Sequence, residues 1–110
     1  MHNTISIKEN REFLRLYKHG NFISSDCLIL YYRKNKSDMK RLGVTVSKKV
    51  GKAVVRNRVR RRIKENFREI ENQISDGYDY IIVSRVKAAE YDYKKIGSAL
   101  RYMLKKAELL

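Results

Sequence analysis

The chain contains no proline and a single cysteine among its 110 residues. Without proline it carries neither a proline-rich linker nor a proline-based ligand segment. The lone Cys27 excludes an internal disulfide framework and a cysteine-based zinc motif, and it is compatible with a reducing compartment. The two histidines, His2 and His19, have no recognisable metal-ligand spacing to Cys27. These absences argue against a disulfide-stabilised secreted domain and against a zinc site.

Long hydrophobic runs are missing as well. No apolar stretch approaches the roughly 18 residues that a transmembrane helix requires. The segment 1–5 lacks a basic region leading into an apolar stretch, so we expect no secretory signal. The sequence therefore predicts an intracellular, cytoplasmic protein without a membrane partner.

Acidic residues are scarce, since 12 Asp and Glu stand against 26 Lys and Arg and give a formal net charge of +14. The hydrophobic fraction of 43% is ordinary for a globular protein and predicts one packed domain spanning residues 1–110. So much like charge opposes folding through self-repulsion. A polyanionic partner that relieves this repulsion is therefore favoured.

The positive charge is concentrated in one segment. Between Lys40 and Lys64 there are 11 basic residues and no acidic one. Apolar residues interrupt the segment at regular intervals, first alternating and then recurring every fourth position. A disordered basic tail shows neither period, so the charge is expected to lie on folded structure.

Apolar periodicity and turn residues predict an α+β fold with the element order α-β-β-β-α-β-α, in which one mixed sheet is packed with helices. Ser6 and Glu9 have the spacing of a capping box, Gly20 suits a helix end, and Asp92 is placed to cap the last helix. The predicted ranges are a helix over 7–19, strand residues over 21–33 with a break near Ser24, a strand over 41–47, a helix over 53–73, a strand over 78–85 and a helix after 92.

The long helix has two faces. One side is an apolar stripe expected to lie on the sheet, made of Val55, Val59, Ile63, Phe67, Ile70 and Ile74. At about 100° per residue, the opposite side carries Asn57, Arg61, Lys64 and Arg68. Arg58 and Arg60 flank the apolar stripe. Burial of the stripe would direct the cations outward as one surface.

A solvated face that serves only solubility is the plain alternative. Ordinary exposed helices mix charge signs so that neighbours attract. Here like charges crowd the positive end of the helix dipole, where cations are least favourable. Five Arg against one Lys between Arg56 and Lys64 favour phosphate, because a guanidinium binds it bidentately. No helix-turn-helix or zipper pattern surrounds the helix, so irregular or single-stranded RNA is favoured over DNA.

Eight tyrosines and three phenylalanines offer stacking surfaces for unpaired bases. Phe13 and Tyr17 lie one turn apart on the first helix, and Tyr31 and Tyr32 are neighbours in a strand. Because adjacent strand residues point to opposite faces, only one of these two tyrosines can face a ligand. For any single ring, a position in the core is the alternative.

The segment from Gly43 to Arg61 closely resembles the signature of the bacterial ribonuclease P protein subunit. The most specific parts are the strand ending in Ser-Lys-Lys, the following glycine, and the Ala-Val-x-Arg-Asn-Arg start of the basic helix at Ala53. A first helix ending in Lys-His-Gly at Gly20 and the strand from Asp79 to Val83 match as well. The resemblance covers essentially the full chain.

This resemblance implies the same α-β-β-β-α-β-α domain with a left-handed β-α-β crossover. It also implies an accessory subunit of an endoribonuclease that removes the 5′ leader from precursor tRNA. In such a ribonucleoprotein the RNA subunit, with bound Mg²⁺, performs the hydrolysis, so no catalytic residue, no organic cofactor and no DNA partner is expected in the protein. Because the acids are scattered outside the basic surface, the residues themselves also argue against a protein nuclease.

Site residues carry over from the resemblance by position. Those matching the RNA-subunit-binding motif are Lys48, Lys49, Arg56, Asn57, Arg58, Arg60, Arg61 and Lys64. Those matching the aromatic cleft for the precursor-tRNA leader are Phe13, Tyr17 and Tyr31, with Tyr17 standing where the family often has Phe. Two alternatives stay open: a ribosomal or other structured-RNA-binding protein, and a DNA-binding regulator.

Overall fold

A computed structural model describes residues 4–110, so His2 lies outside the described part of the chain. Three helices and five strands follow the chain. Their bounds are β1 Thr4–Ser6, α1 Asn10–His19, β2 Asn21–Ser24, β3 Leu28–Lys34, β4 Lys40–Thr45, α2 Ala53–Ile70, β5 Tyr78–Ser84 and α3 Tyr93–Lys106. Short 3₁₀ turns at Lys48–Val50 and Val86–Glu90 precede α2 and α3.

The five strands form one mixed sheet in the order β1-β4-β5-β3-β2. β3 pairs antiparallel with β2 and β5, whereas β4 pairs parallel with β1 and β5. The predicted mixed α+β fold is therefore confirmed. α2 connects the parallel neighbours β4 and β5, which makes a β-α-β unit. The left-handed sense of this crossover connection stays a prediction from the resemblance.

The start of the chain differs from the sequence prediction. Ser6 ends β1 and caps no helix, because α1 begins at Asn10 behind Glu9, whose side chain makes no capping hydrogen bond. The Ile7 N–H instead donates to the Leu42 carbonyl at 2.8 Å, which continues the pairing with β4. A strand of three residues is too short to show a period, so β1 was missed.

The two faces of the sheet hold separate apolar clusters. On one face α2 and α3 pack against Leu28, Leu30 and Tyr80. On the other, α1 places Leu16 against Ile81. The break near Ser24 and the strand covered on both sides are confirmed, because β2 and β3 form a hairpin and β3 is packed on both faces.

α2 has the predicted orientation, and α3 has the predicted N-terminal cap. Val59, Ile63 and Phe67 of α2 are fully buried, as the apolar stripe requires. Asp92 caps α3, since its side chain accepts a hydrogen bond from the Lys95 N–H at 2.9 Å. α2 ends at Ile70, three residues before its predicted end.

Close packing of α2 on α3 gives a first prediction, for the substitution Gly97→Ala. A Cβ at Gly97 would overlap Oδ1 of buried Asn66, whose amide donates to the carbonyls of Arg62 and Tyr93 at 2.9 and 3.0 Å. We expect Gly97→Ala to lower the free energy of unfolding by about 1–3 kcal/mol, although alanine has the better helix propensity. Urea unfolding measures this change.

The control for helix propensity is Ser98→Ala at the next, exposed position of α3. This variant is expected to be as stable as the parent or slightly more so. A Gly97→Ala protein that gains stability like Ser98→Ala would show that the approach of α3 to Asn66 is not tight.

Candidate nucleic-acid interface

The outward side of α2 is an exposed polar and cationic surface, which we call the α2 face. Its members are Asn57, Arg61, Lys64 and Arg68, and all four are exposed. The helix turns them outward because Val59 and Ile63 on the opposite side are fully buried against the sheet. The amphipathic pattern therefore produces the geometry that the sequence predicts for this helix.

In the described part of the chain, most of the cations on this side of α2 have no carboxylate close enough to neutralise them. Arg61 Nε lies 3.7 Å from Glu65 Oε1, and both side chains are more than half exposed, so the pair contributes little. Arg60 donates to Asn57 Oδ1 at 3.1 Å, and Arg56 donates to the Gly51 carbonyl at 3.0 Å. Within residues 4–110, Arg61 alone of the four predicted site arginines on α2 has a carboxylate within 4.0 Å.

Arg58 and Arg62 differ from the exposed cations. Arg58 is half-buried, and its Nε is enclosed without a hydrogen-bond partner in the described part of the chain. Arg62 donates to the Tyr91 carbonyl at 2.8 Å and so joins α2 to the turn before α3. Arg62 thus has a structural contact, and it was not among the predicted site residues.

Two further predicted site residues precede α2. Lys48 and Lys49 are exposed on a 3₁₀ turn that buried Val50 anchors to the core. Gly51 has φ of +154°, which L side chains rarely adopt, and the chain then enters α2 behind Lys52. The first turn of α2 contains no acidic residue, so its positive dipole end is available to an anion.

Not every cation of the basic segment faces solvent. Lys40 is buried, and its Nζ lies 2.5 Å from Asp76 Oδ1. Arg41 lies between the carboxylates of Glu12 and Asp79, and chiefly the hydrogen bond to Glu12 raises the pKa of Arg41. The first two cations of the segment are therefore paired inside the protein, because the sheet brings distant acids beside them.

The three predicted leader residues form one aromatic cluster on the α1 side of the sheet. The ring centroid of Tyr17 lies 6.4 Å from that of Phe13 and 4.9 Å from that of Tyr31. All three rings are half-buried, and the Tyr17 hydroxyl lies 2.9 Å from Thr45 Oγ1. Tyr32 packs against the core on the opposite face. The cluster keeps partly open ring surface beside the sheet.

Sequence reasoning missed Phe22 as a fourth member of this cluster. Phe22 is 63% exposed, and its ring centroid lies 5.8 Å from that of Tyr31. The two residues are register partners in the β2–β3 hairpin. The strand register is the signal that would have found Phe22. If the strand residues on the two sides of the break at Ser24 pair as a hairpin, Phe22 lies directly opposite Tyr31, and directly paired residues share a face of the sheet.

A groove connects the aromatic cluster with the α2 face. It has a volume of about 260 Å³, and its walls include Phe13 and Gly43 together with Arg60 and Lys64 of α2. A Cβ at Gly43 would lie 2.7 Å from the Phe13 ring, so only glycine lets α1 approach β4 this closely. A second groove of about 420 Å³ runs along the α2 face itself. Aromatic rings and exposed or half-buried cations therefore adjoin one another.

The described residues 4–110 contain no group of three or more His, Cys, Asp or Glu that could hold a metal ion. Burial raises the pKa of the Cys27 thiol, and His19 is exposed at the end of α1. No helix within this range is long and apolar enough to cross a membrane. Among the residues that the structure describes, the donor groups therefore do not come together as a site for a metal ion.

Comparison with known proteins adds an independent finding. The family model described as Ribonuclease P matches residues 1–108. The ribonuclease P protein component of Clostridioides difficile strain 630 is 41% identical over 107 residues, covering 96% of this chain and 94% of that protein. The corresponding protein of Clostridium botulinum strain Langeland is 47% identical over 102 residues and covers 92% of each chain.

Solved structures agree with the sequence matches. The Staphylococcus aureus RNase P protein is 37% identical and superposes with a TM-score of 0.88, over 94% of this chain and 95% of that one. The Thermotoga maritima RNase P protein is 31% identical, with a TM-score of 0.84 over 92% of this chain and 96% of that one. The similarity in sequence and in fold spans nearly the whole chain.

Proposed function

Because the chain belongs to the ribonuclease P protein family and is an RNA-binding component of that ribonucleoprotein, we propose that it holds two RNAs at once. The α2 face and the lysines before it bind the RNA subunit of ribonuclease P. The aromatic cluster binds the 5′ leader of precursor tRNA. The groove between the two surfaces lets the protein position the leader against the RNA subunit.

The observation that carries this proposal is the cationic side of a helix whose other side is fully buried. Buried Val59 and Ile63 fix the rotation of α2, so the exposed cations cannot turn away from a ligand. Phosphates would supply the counter-charges, since among the assigned cations of α2 only Arg61 has a carboxylate within 4.0 Å in the described residues 4–110. The residues that we assign to the RNA subunit are Lys48, Lys49, Arg56, Asn57, Arg58, Arg60, Arg61 and Lys64, and to these the α2 face adds the exposed Arg68.

The leader surface is supported by its geometry. Phe13, Tyr17 and Tyr31 present partly open rings, and unpaired bases stack on such rings irrespective of sequence. Arg60 and Lys64 line the adjoining groove and can neutralise the leader's phosphates. A single-stranded leader can therefore stack its bases on the rings and place its phosphates near the cations, which are the two contacts by which proteins bind single strands.

Hydrolysis is assigned to the RNA subunit, with Mg²⁺ held mainly by RNA. When bound there, the ion would activate the attacking water and stabilise the leaving oxygen. The protein binds and orients the two RNAs, and its cations reduce the repulsion between these polyanions. We place this activity in the cytoplasm.

Reconstitution tests the proposal directly. Adding the protein to ribonuclease P RNA at Mg²⁺ too low for efficient cleavage by the RNA alone is expected to raise the rate of 5′ maturation. The increase should be at least about tenfold, which corresponds to about 1.4 kcal/mol of the barrier. The assay follows release of the leader from end-labelled precursor tRNA.

The control uses the same protein without the RNA subunit, which is expected to leave the precursor uncut. Cleavage by the protein alone would overturn the assignment of hydrolysis to RNA. A rate that the protein does not change at low Mg²⁺ would instead agree with the ribosomal or other structured-RNA-binding alternative.

A further inference from the structure

Another groove lies near β2, at the edge of the sheet away from β1 and β4. It has a volume of about 830 Å³ and opens between the β2–β3 turn, the 3₁₀ turn Val86–Glu90 and α3. β2 is the edge strand there, and α3 packs over β2 and β3, whereas α2 packs over β4. The groove is lined by Ser24, Ser25, Asp26, Arg85, Tyr91, Lys94, Lys95, Ser98, Ala99 and Tyr102.

The segment that forms most of this groove is the second concentration of positive charge in the chain. Residues 85–110 contain seven basic and three acidic residues. Outside this segment and the basic segment 40–64, the chain has eight basic and nine acidic residues and is close to neutral. The charge near the groove is therefore a local feature, separate from that of the α2 face.

The one acid of the groove is already engaged by neighbouring side chains. The Tyr91 hydroxyl donates to the Asp26 carboxylate, and Lys87 Nζ lies 3.8 Å from the same group. Chiefly the hydrogen bond from Tyr91 lowers the pKa of the Asp26 carboxyl. The carboxylate of Asp26 is therefore charged, but it already interacts with Tyr91 and Lys87. The remaining charged side chains that line the groove are positive.

In the part of the chain that the structure describes, three cations of the groove have no carboxylate partner. Within residues 4–110, no Asp or Glu oxygen lies within 4.0 Å of Arg85, Lys94 or Lys95. Arg85 donates to the Ser25 carbonyl at 2.9 Å, which holds its guanidinium at the groove. Lys95 Nζ lies 5.1 Å from the Tyr91 ring centroid. Three positive groups are thus available to one anionic ligand.

Two tyrosine rings accompany these cations. Tyr102 is 52% exposed, and Lys106 donates to its hydroxyl at 3.2 Å. Tyr91 is half-buried and held by its bond to Asp26. A positively charged groove combined with aromatic rings is the arrangement by which proteins bind single-stranded nucleic acid. The volume is within the range of about 300–1,000 Å³ that small-ligand sites occupy, so a nucleotide fits.

We propose that this groove is a second binding site for single-stranded RNA, separate from the leader cleft and the α2 face. Lys94, Lys95 and Arg85 bind the phosphodiester backbone, and an unpaired base stacks on Tyr102. The chain would then contact RNA at both edges of its sheet. A ribonucleoprotein in which it sits could engage a further unpaired segment without releasing the leader.

The test is a titration of the full-length ¹⁵N-labelled chain with hexauridylate, followed by amide chemical shifts. We expect two separately saturating sets of shifts, one around the aromatic cluster and α2 and one around the groove at Tyr91 and Tyr102. Lys94→Ala is expected to weaken the groove affinity and to lower its salt slope by about 0.7, the value for one phosphate contact of a single strand. Tyr102→Ala is expected to weaken groove affinity about tenfold.

The matched control is Lys105→Ala, which removes an exposed lysine from the same helix outside the groove. It is expected to leave both sets of shifts unchanged, and Lys94→Ala should leave the set around the aromatic cluster unchanged. Shifts confined to the aromatic cluster and α2 would overturn the second site while leaving the leader cleft intact. A loss of groove affinity that is equal for Lys94→Ala and Lys105→Ala would overturn it as well, since it would show attraction by net charge alone.

Discussion

Replacing Arg61, Lys64 and Arg68 together with alanine is expected to weaken binding of ribonuclease P RNA at least about 1000-fold. These side chains are exposed on one face, and hydrogen bonds to charged groups contribute about 1.5–3 kcal/mol each. At about 1.4 kcal/mol per factor of ten, three lost contacts exceed three orders of magnitude. Filter binding or fluorescence anisotropy at a fixed salt concentration measures the loss.

Salt dependence separates lost phosphate contacts from a damaged fold. Each phosphate contact contributes about 0.7–0.9 to the slope of log affinity against log salt. The triple variant should therefore have a slope smaller by about 2–3. Its stability should stay near that of the parent, because alanine is a strong helix former and the apolar side of α2 is unchanged.

The matched control for this prediction removes three exposed lysines that lie away from α2. Lys18→Ala, Lys36→Ala and Lys105→Ala together change the net charge by the same amount. This control should lose far less affinity for the RNA subunit. Equal losses in the two triple variants would mean that α2 offers only diffuse charge and no binding face.

The geometry of α2 could be predicted from sequence because its pattern is long and local. An apolar residue at nearly every fourth position over five turns sets which side is buried, and burial then sets where Arg61 and Lys64 point. Alternation along β3 likewise predicted that Tyr31 and Tyr32 face opposite sides of the sheet, and the family resemblance indicated Tyr31 as the one in the cleft. Tyr31 lies in the aromatic cluster, and Tyr32 packs in the core.

Features that depend on contacts between distant segments were beyond such reasoning. β1 exists only through its parallel pairing with β4, and its three residues carry no period of their own. The sequence gives no sign of which acids pair with Lys40 and Arg41, because their partners are distant along the chain. In the sheet, however, Arg41 is the register partner of Asp79, and Lys40 reaches Asp76. Strand pairing, which single-sequence patterns do not determine, decides these cases.

The aromatic cluster gives the second large prediction, for the substitution Tyr17→Ala. We expect the affinity of the assembled enzyme for precursor tRNA to fall roughly 5- to 150-fold, since stacking of one base contributes about 1–3 kcal/mol. Affinity for mature tRNA, which lacks the leader, should not change, and neither should affinity of the protein for the RNA subunit. Phe13→Ala is expected to behave in the same way. Competition binding with tRNAs with and without a leader measures the difference.

Tyr17→Phe is the control that separates the ring from the hydroxyl. It keeps the stacking surface and removes only the contact with Thr45 Oγ1 at 2.9 Å. Leader affinity of this variant should therefore stay close to that of the parent protein. If the rings serve only the core, Tyr17→Ala and Phe13→Ala will lower the free energy of unfolding and weaken binding of precursor and mature tRNA equally. Because the leader is the only difference between the two tRNAs, a selective loss cannot come from a general loosening of α1 and must reflect contacts that the leader itself makes.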